Sequence, residues 1–123
     1  MNELKFPDKF LFGTAVASYQ VEGGIYNNDW TIWENKKNSV CVEPCNEACN
    51  HYELIDEDIN LLKTLGIKAF RFSIEWSRIE PTQGIFNDDE INHYVDKANK
   101  LISNDIIPIL TFHNFTTPAC MYN

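Results

Sequence analysis

Residues 10–24 read F-L-F-G-T-A-V-A-S-Y-Q-V-E-G-G, from Phe10 to Gly24. The stretch opens apolar, as a short strand would over Phe10–Ala15, and then thins to Gly13, Ala15, Ala17 and Ser18. Small residues there let the backbone run close against a neighbouring segment. Tyr19, Gln20 and Glu22 follow, set beside Gly23 and Gly24. The Gln20 amide carries both a donor and an acceptor, which suits it to reading two neighbouring hydroxyls of a sugar. Taken by itself, the same pattern also describes a strand running into a glycine-rich turn with Gln20 in solvent.

Outward from this stretch, strand-like and helix-like segments alternate. Ile55, Ile59, Leu62 and Leu65 recur at helical spacing, and Gly66 stands where left-handed backbone closes a helix. In residues 69–74, Phe70, Phe72 and Ile74 alternate with Arg71 and Ser73, the period of a second strand. Ile91, Tyr94, Val95, Ala98, Leu101 and Ile102 form one apolar stripe of a second helix, and Asn87 with Glu90 resembles a capping box at its start. Residues 106–112 are an almost continuous apolar run, expected of a strand covered on both faces. Residues 24–45 form a polar, cysteine-containing excursion that is long for a strand-to-helix connection and therefore expected to be functional. The alternation predicts right-handed βαβ units and a parallel sheet within one domain over residues 1–123. Pattern alone leaves a closed barrel and an open sheet equally possible.

Three further stretches bear on that choice. Residues 48–66 read A-C-N-H-Y-E-L-I-D-E-D-I-N-L-L-K-T-L-G, residues 69–81 read A-F-R-F-S-I-E-W-S-R-I-E-P, and residues 107–118 read I-P-I-L-T-F-H-N-F-T-T-P. With residues 10–24 they resemble, in order and separation, the N-terminal part of the family 1 glycoside hydrolases, the β-glucosidase family. The resemblance runs from Phe6 to about Pro118. It implies an α/β fold, a (β/α)8 TIM barrel, which typically needs about 250 residues. This chain would then be the truncated N-terminal portion of a single barrel domain, with roughly its first three strands and two helices.

The resemblance also implies a site at the C-terminal ends of the strands. Gln20 matches the family glutamine that bonds the hydroxyls of the glycone, the non-reducing sugar. Arg71 matches the arginine that steadies the nucleophilic carboxylate, where a guanidinium favours the ionised form; an ion pair inside the barrel is the alternative role. Asn114 departs from type. The family carries a histidine before the aromatic residue of this turn, whereas here the order is His113-Asn114-Phe115. Asn114 can still bond a hydroxyl, while His113, one residue off, is expected to point the opposite way. Glu75 falls where the family pattern varies, so a supporting or surface role is expected rather than acid catalysis. Trp76 is expected to pack the rim, and Trp30 and Trp33 either to stack on a sugar or to pack.

Family hydrolysis is retaining and uses two glutamates about 5–5.5 Å apart, placed after the fourth and seventh strands. No catalytic residue is therefore assigned here. The implied function is β-glycosidase-like hydrolysis of O-glycosidic bonds in a β-glycoside or oligosaccharide, without cofactor or metal. The chain alone is expected to be inactive, and poorly folded or associated. A non-catalytic sugar-binding or partner-assembling remnant is the alternative.

Composition narrows the remaining classes. With 44% hydrophobic residues the chain is neither disordered nor fibrous. A formal charge of −8 disfavours nucleic acid and anionic membranes as partners. No run approaches the ~20 apolar residues of a membrane span, and Met1–Lys5 lacks a basic segment leading into an apolar one; a cytoplasmic protein is expected. Cys41, Cys45 and Cys49 fall four apart, with Cys120 distant, unlike the paired spacings of zinc and iron–sulfur sites, so free thiols are expected. Asn114-Phe115-Thr116 matches a glycosylation acceptor but lies in a turn expected to be buried and has no visible secretion signal.

Overall fold

Three parallel strands, in the order β1-β2-β3, form the sheet of the computed structural model, which describes residues 5–122. They are β1 Gly13–Ala15, β2 Ala69–Ser73 and β3 Ile107–Thr111. The register aligns Ala15 with Arg71 and Arg71 with Ile109, so the three C-terminal ends lie along one edge of the sheet. Gly13 sits against Ala69, where a Cβ would stand 2.8 Å from the Ala69 carbonyl oxygen. That close approach accounts for the small residues at the start of the quoted stretch.

Among the described residues five α-helices accompany the strands, α1 Ser18–Val21, α2 Asp29–Glu34, α3 Ile55–Thr64, α4 Trp76–Ile79 and α5 Asp88–Ser103, with a 3-10 turn at Ala119–Met121. The two long ones fall where helical periodicity predicts them. Helix α3 ends at Gly66 in left-handed backbone (φ +69), with Ile67 N–H donating to the Leu62 carbonyl. Helix α5 begins at Asn87, whose side-chain oxygen accepts from the backbone N–H of Asp89 and Glu90. The core is one cluster of Ile55, Ile59 and Leu62 from α3, Phe70 and Phe72 from β2, Tyr94 and Leu101 from α5, and Ile106. Phe70 and Phe72 therefore face the helices. By the two-residue period of a strand, Ala69, Arg71 and Ser73 face the other side of the sheet.

Four sequence expectations change. Strand β1 covers only Gly13–Ala15, and Phe10 and Phe12 instead gather with Phe6 in an aromatic trio before it. The excursion 24–45 is not all loop. Asn28 caps α2 inside it, its side chain accepting from Thr31 N–H. Strand β3 is not covered on both faces: it is an outer strand, and Ile107, Ile109 and Leu110 are exposed. The apolar stripe of α5 is only half used, with Tyr94 and Leu101 buried but Val95 and Ile102 exposed. Among the described residues, nothing covers that second half. No described helix is long and apolar enough to cross a membrane.

Candidate functional site

Just past the end of β1, the chain turns into α1 and is tied back to β2. The Ser18 backbone N–H donates to Ser73 Oγ at 2.7 Å, and the Ser73 hydroxyl donates to Ser18 Oγ at 3.0 Å. This tie sets Gln20 on an exposed turn of α1 rather than in a loop. Gly23, which follows, has φ +79, and a Cβ there would stand 2.2 Å from the Glu47 carbonyl oxygen, so only glycine fits.

The segment after β1 and the turn after β3 are stapled together. Asp29 N–H donates to the Thr117 carbonyl, Thr117 N–H donates to Asp29 Oδ1, and Asn28 bridges Pro118. Phe115 takes left-handed backbone (φ +53), unusual for an aromatic residue. Its ring reaches Trp30 at 5.0 Å and Tyr19 at 6.4 Å between centroids, and Trp30 meets Trp33 at 5.5 Å. The two α2 tryptophans are thus packed on one another and also partly exposed. Tyr19 is buried, its phenol donating to Glu34; burial first, and the Glu34 carboxylate with it, push that phenol's pKa far up.

Each site residue read from sequence can now be located. Gln20 stands on α1, exposed; Arg71 in mid-β2, exposed on the face away from the helices; Asn114 in the turn after β3, half-buried. None of the three side chains bonds another described residue. Arg71 makes no ion pair among the described residues. His113 turns to Trp76, ring to ring at 5.9 Å. Trp76 also donates its indole N–H to Glu80 at 2.8 Å, as a residue packing the rim would. Glu75 is not on the surface: it is fully buried.

Beneath the rim lies a charged cluster that motif reading left out. Glu22, 1% exposed, accepts the Tyr94 hydroxyl at 2.9 Å, with Arg78 Nε 3.3 Å and Lys97 Nζ 4.0 Å away. Arg78 donates to the Gly23 carbonyl and lies over the Tyr52 ring at 4.1 Å. Tyr52 donates to Glu90 and stacks on His93; burial and then Glu90 push its pKa to about 12. Burial raises the Glu22 pKa despite Lys97, Tyr94 and Arg78, and lowers that of Lys97 to about 8 despite Glu22. Desolvation therefore outweighs attraction on both partners. His51, buried, bonds Asp58 through Nδ1, while its Nε2 has no partner among the described residues; burial, then Lys97, lowers its pKa. Glu22 and Arg78 lay inside the quoted motifs, but Lys97 carried no signal, since a lysine on a helix ordinarily reads as solvated.

Cys41, Cys45, Cys49 and Cys120 are free thiols, and the described residues hold no group of three metal-ligating side chains. Cys45 is committed to the scaffold, its Sγ donating to the Tyr19 carbonyl.

Comparison with known proteins places this geometry. The family model described as glycosyl hydrolase family 1 matches residues 2–123. Myrosinase 1 of Brevicoryne brassicae is 40% identical over 94% of this chain, and β-glucosidase A of Acetivibrio thermocellus 36% over 96%. Among solved structures, a β-glycosidase from Pyrococcus horikoshii superposes with a TM-score of 0.88 at 43% identity over 96% of the chain. A β-glucosidase from Thermotoga maritima gives a TM-score of 0.89 at 34% identity over 95%. The chain spans only 27% of the myrosinase and of the Pyrococcus chain, and 28% of the Acetivibrio and Thermotoga proteins.

Proposed function

Because this chain belongs to glycosyl hydrolase family 1 and carries the N-terminal part of its barrel, we propose that its strand-end rim is the glycone-binding share of a retaining β-glycosidase site. One observation carries the reading. Gln20, Arg71 and Asn114 come from the three successive strand units, and their side chains are left unengaged by every other described residue. Nearby Ser18, Tyr19, Ser73 and Thr116, by contrast, are hydrogen-bonded within the fold. Polar groups held free above a bonded floor are what a ligand rich in hydroxyls requires.

The chemistry follows from the donor set. Gln20 can donate to one sugar hydroxyl and accept from the next, and Asn114 can do the same on a shorter stem. Arg71 brings a permanent cation to the inner face of the sheet, where it would hold a nucleophilic carboxylate ionised. Retaining hydrolysis then needs one carboxyl to protonate the glycosidic oxygen while a second attacks the anomeric carbon from about 5–5.5 Å away. The two buried glutamates among the described residues nearest the rim are not such a pair: Glu22 is engaged by Tyr94 and Lys97, and Glu75 by three hydroxyls. Both are buried away from the open rim. We therefore read the isolated chain as catalytically silent, with acid and nucleophile supplied from elsewhere in the barrel. Its four free cysteines suit a reducing compartment, and we assign it to the cytoplasm.

The test uses a spliced barrel in which this chain replaces the matching segment of the Thermotoga maritima β-glucosidase. Gln20→Ala should lower kcat/KM for a chromogenic β-glucoside at least about ten-fold, or about 1.4 kcal/mol of transition-state binding. Unchanged kinetics would return Gln20 to an ordinary exposed helix residue.

A further inference from the structure

Glu75 is the one carboxylate among the described residues that hydroxyls reach from all three strand ends. It lies two residues past the end of β2 and is 0% exposed. Oε2 accepts the Ser18 hydroxyl at 2.8 Å, from the segment after β1. Oε1 accepts the Ser77 hydroxyl at 2.6 Å, from the start of α4. Thr116, in the turn after β3, donates its hydroxyl to the pair of oxygens at 3.1 and 3.2 Å. The Glu75 backbone N–H in turn donates to the Tyr94 hydroxyl at 3.1 Å, tying the same residue to α5. No described lysine or arginine pairs with it, so these hydroxyls are what compensates the buried group.

The spacing of the arms matters. Ser18 lies two residues before Gln20, Thr116 two residues after Asn114, and Ser73, which bonds Ser18, two residues after Arg71. We propose that Glu75 is a positioning residue, a buried hub whose hydroxyl arms fix where Gln20 and Asn114 stand relative to each other at the rim. A carboxylate suits the task because it only accepts, and its two oxygens offer about four acceptor sites. Each arm can therefore point its hydroxyl inward without competing with the others. A hub bonded on every side is also closed to solvent, which is why Glu75 serves geometry and not proton transfer. Its meaning for sugar binding rests on the role proposed above for Gln20 and Asn114, whereas the hub itself can be judged without any sugar.

Amide hydrogen exchange on the spliced barrel, with Glu75→Ala, Ser18→Ala and Thr116→Val, makes that separation. Ser18→Ala should speed exchange about ten-fold or more over residues 18–22 alone, and Thr116→Val over residues 114–118 alone. Glu75→Ala should speed both segments together while Phe70 and Phe72 in β2 keep their protection. Glu75→Gln, which retains one acceptor and the volume, should restore part of the protection. A general packing role would instead raise exchange across the fold, and that result overturns the hub. So does unchanged exchange, or a wild-type chain whose two segments are already unprotected. If Glu75→Ala does not fold, the single-arm variants decide alone. Arm-specific loosening combined with a neutral Gln20→Ala in the spliced barrel would keep the hub and reject the sugar reading.

Discussion

Lys97 lies on a helix with solvent-facing neighbours, yet its ammonium is buried, 4.3 Å over the Phe72 ring and 4.0 Å from Glu22. Its pKa, lowered to about 8 chiefly by burial, makes stability depend on alkaline pH. Between pH 8 and the ordinary lysine value the unfolded chain keeps this proton and the folded chain sheds it. More protons bound when unfolded means stability rises with pH, by roughly 2 kcal/mol at pH 9.5. Urea midpoints of the spliced barrel at pH 7.5, 8.5 and 9.5 should climb for the wild type and stay flatter for Lys97→Met; equal slopes would mean that Lys97 titrates normally. At Asn114, Asn114→His in the spliced barrel should tighten sugar binding if the asparagine is a weakened version of the family histidine. A fall in affinity would show a pocket built around the shorter amide. These residues also mark what a sequence discloses. Gln20, Arg71 and Asn114 could be put forward as candidates because motifs are local. The burial of Glu75 was not legible, because its arms at 18, 77 and 116 converge only in three dimensions.

Elements were legible in proportion to their length. Helices α3 and α5 announce themselves through several turns of apolar spacing, whereas α2, six residues in a polar excursion, is too short to show a period and rests on the Asn28 cap. For α5, cap and core contribute on different scales. Leu101 is fully buried, so Leu101→Ala should cost on the order of 2–5 kcal/mol. Asn87→Ala, which removes acceptors for two backbone N–H groups, should cost about 1 kcal/mol. Urea unfolding of both variants in the spliced barrel checks the order, and a larger loss at Asn87 would mean that α5 docks by another face. The exposure of β3 could not be read from its apolar run, since whether a strand is inner or outer depends on neighbours the pattern does not contain.

At the scale of the molecule, an apolar groove of about 660 Å³ runs beside β3, lined by Ile74, Ile79, Phe86, Leu110 and Phe112 among others. Among the described residues neither outer strand is paired on its far side. Open strand edges and uncovered apolar surface favour association, so size-exclusion chromatography of the chain alone should show species larger than a 14.3 kDa monomer. A compact monomer with a sharp cooperative transition would mean that three strands suffice. The most direct test of the central claim is turnover of a chromogenic β-glucoside by the chain alone and by the barrel spliced to the Thermotoga maritima strands. A sugar-binding rim without its own acid and nucleophile predicts no turnover by the first and clear turnover by the second. Hydrolysis by the chain alone, or a folded spliced barrel that stays inactive, would contradict it.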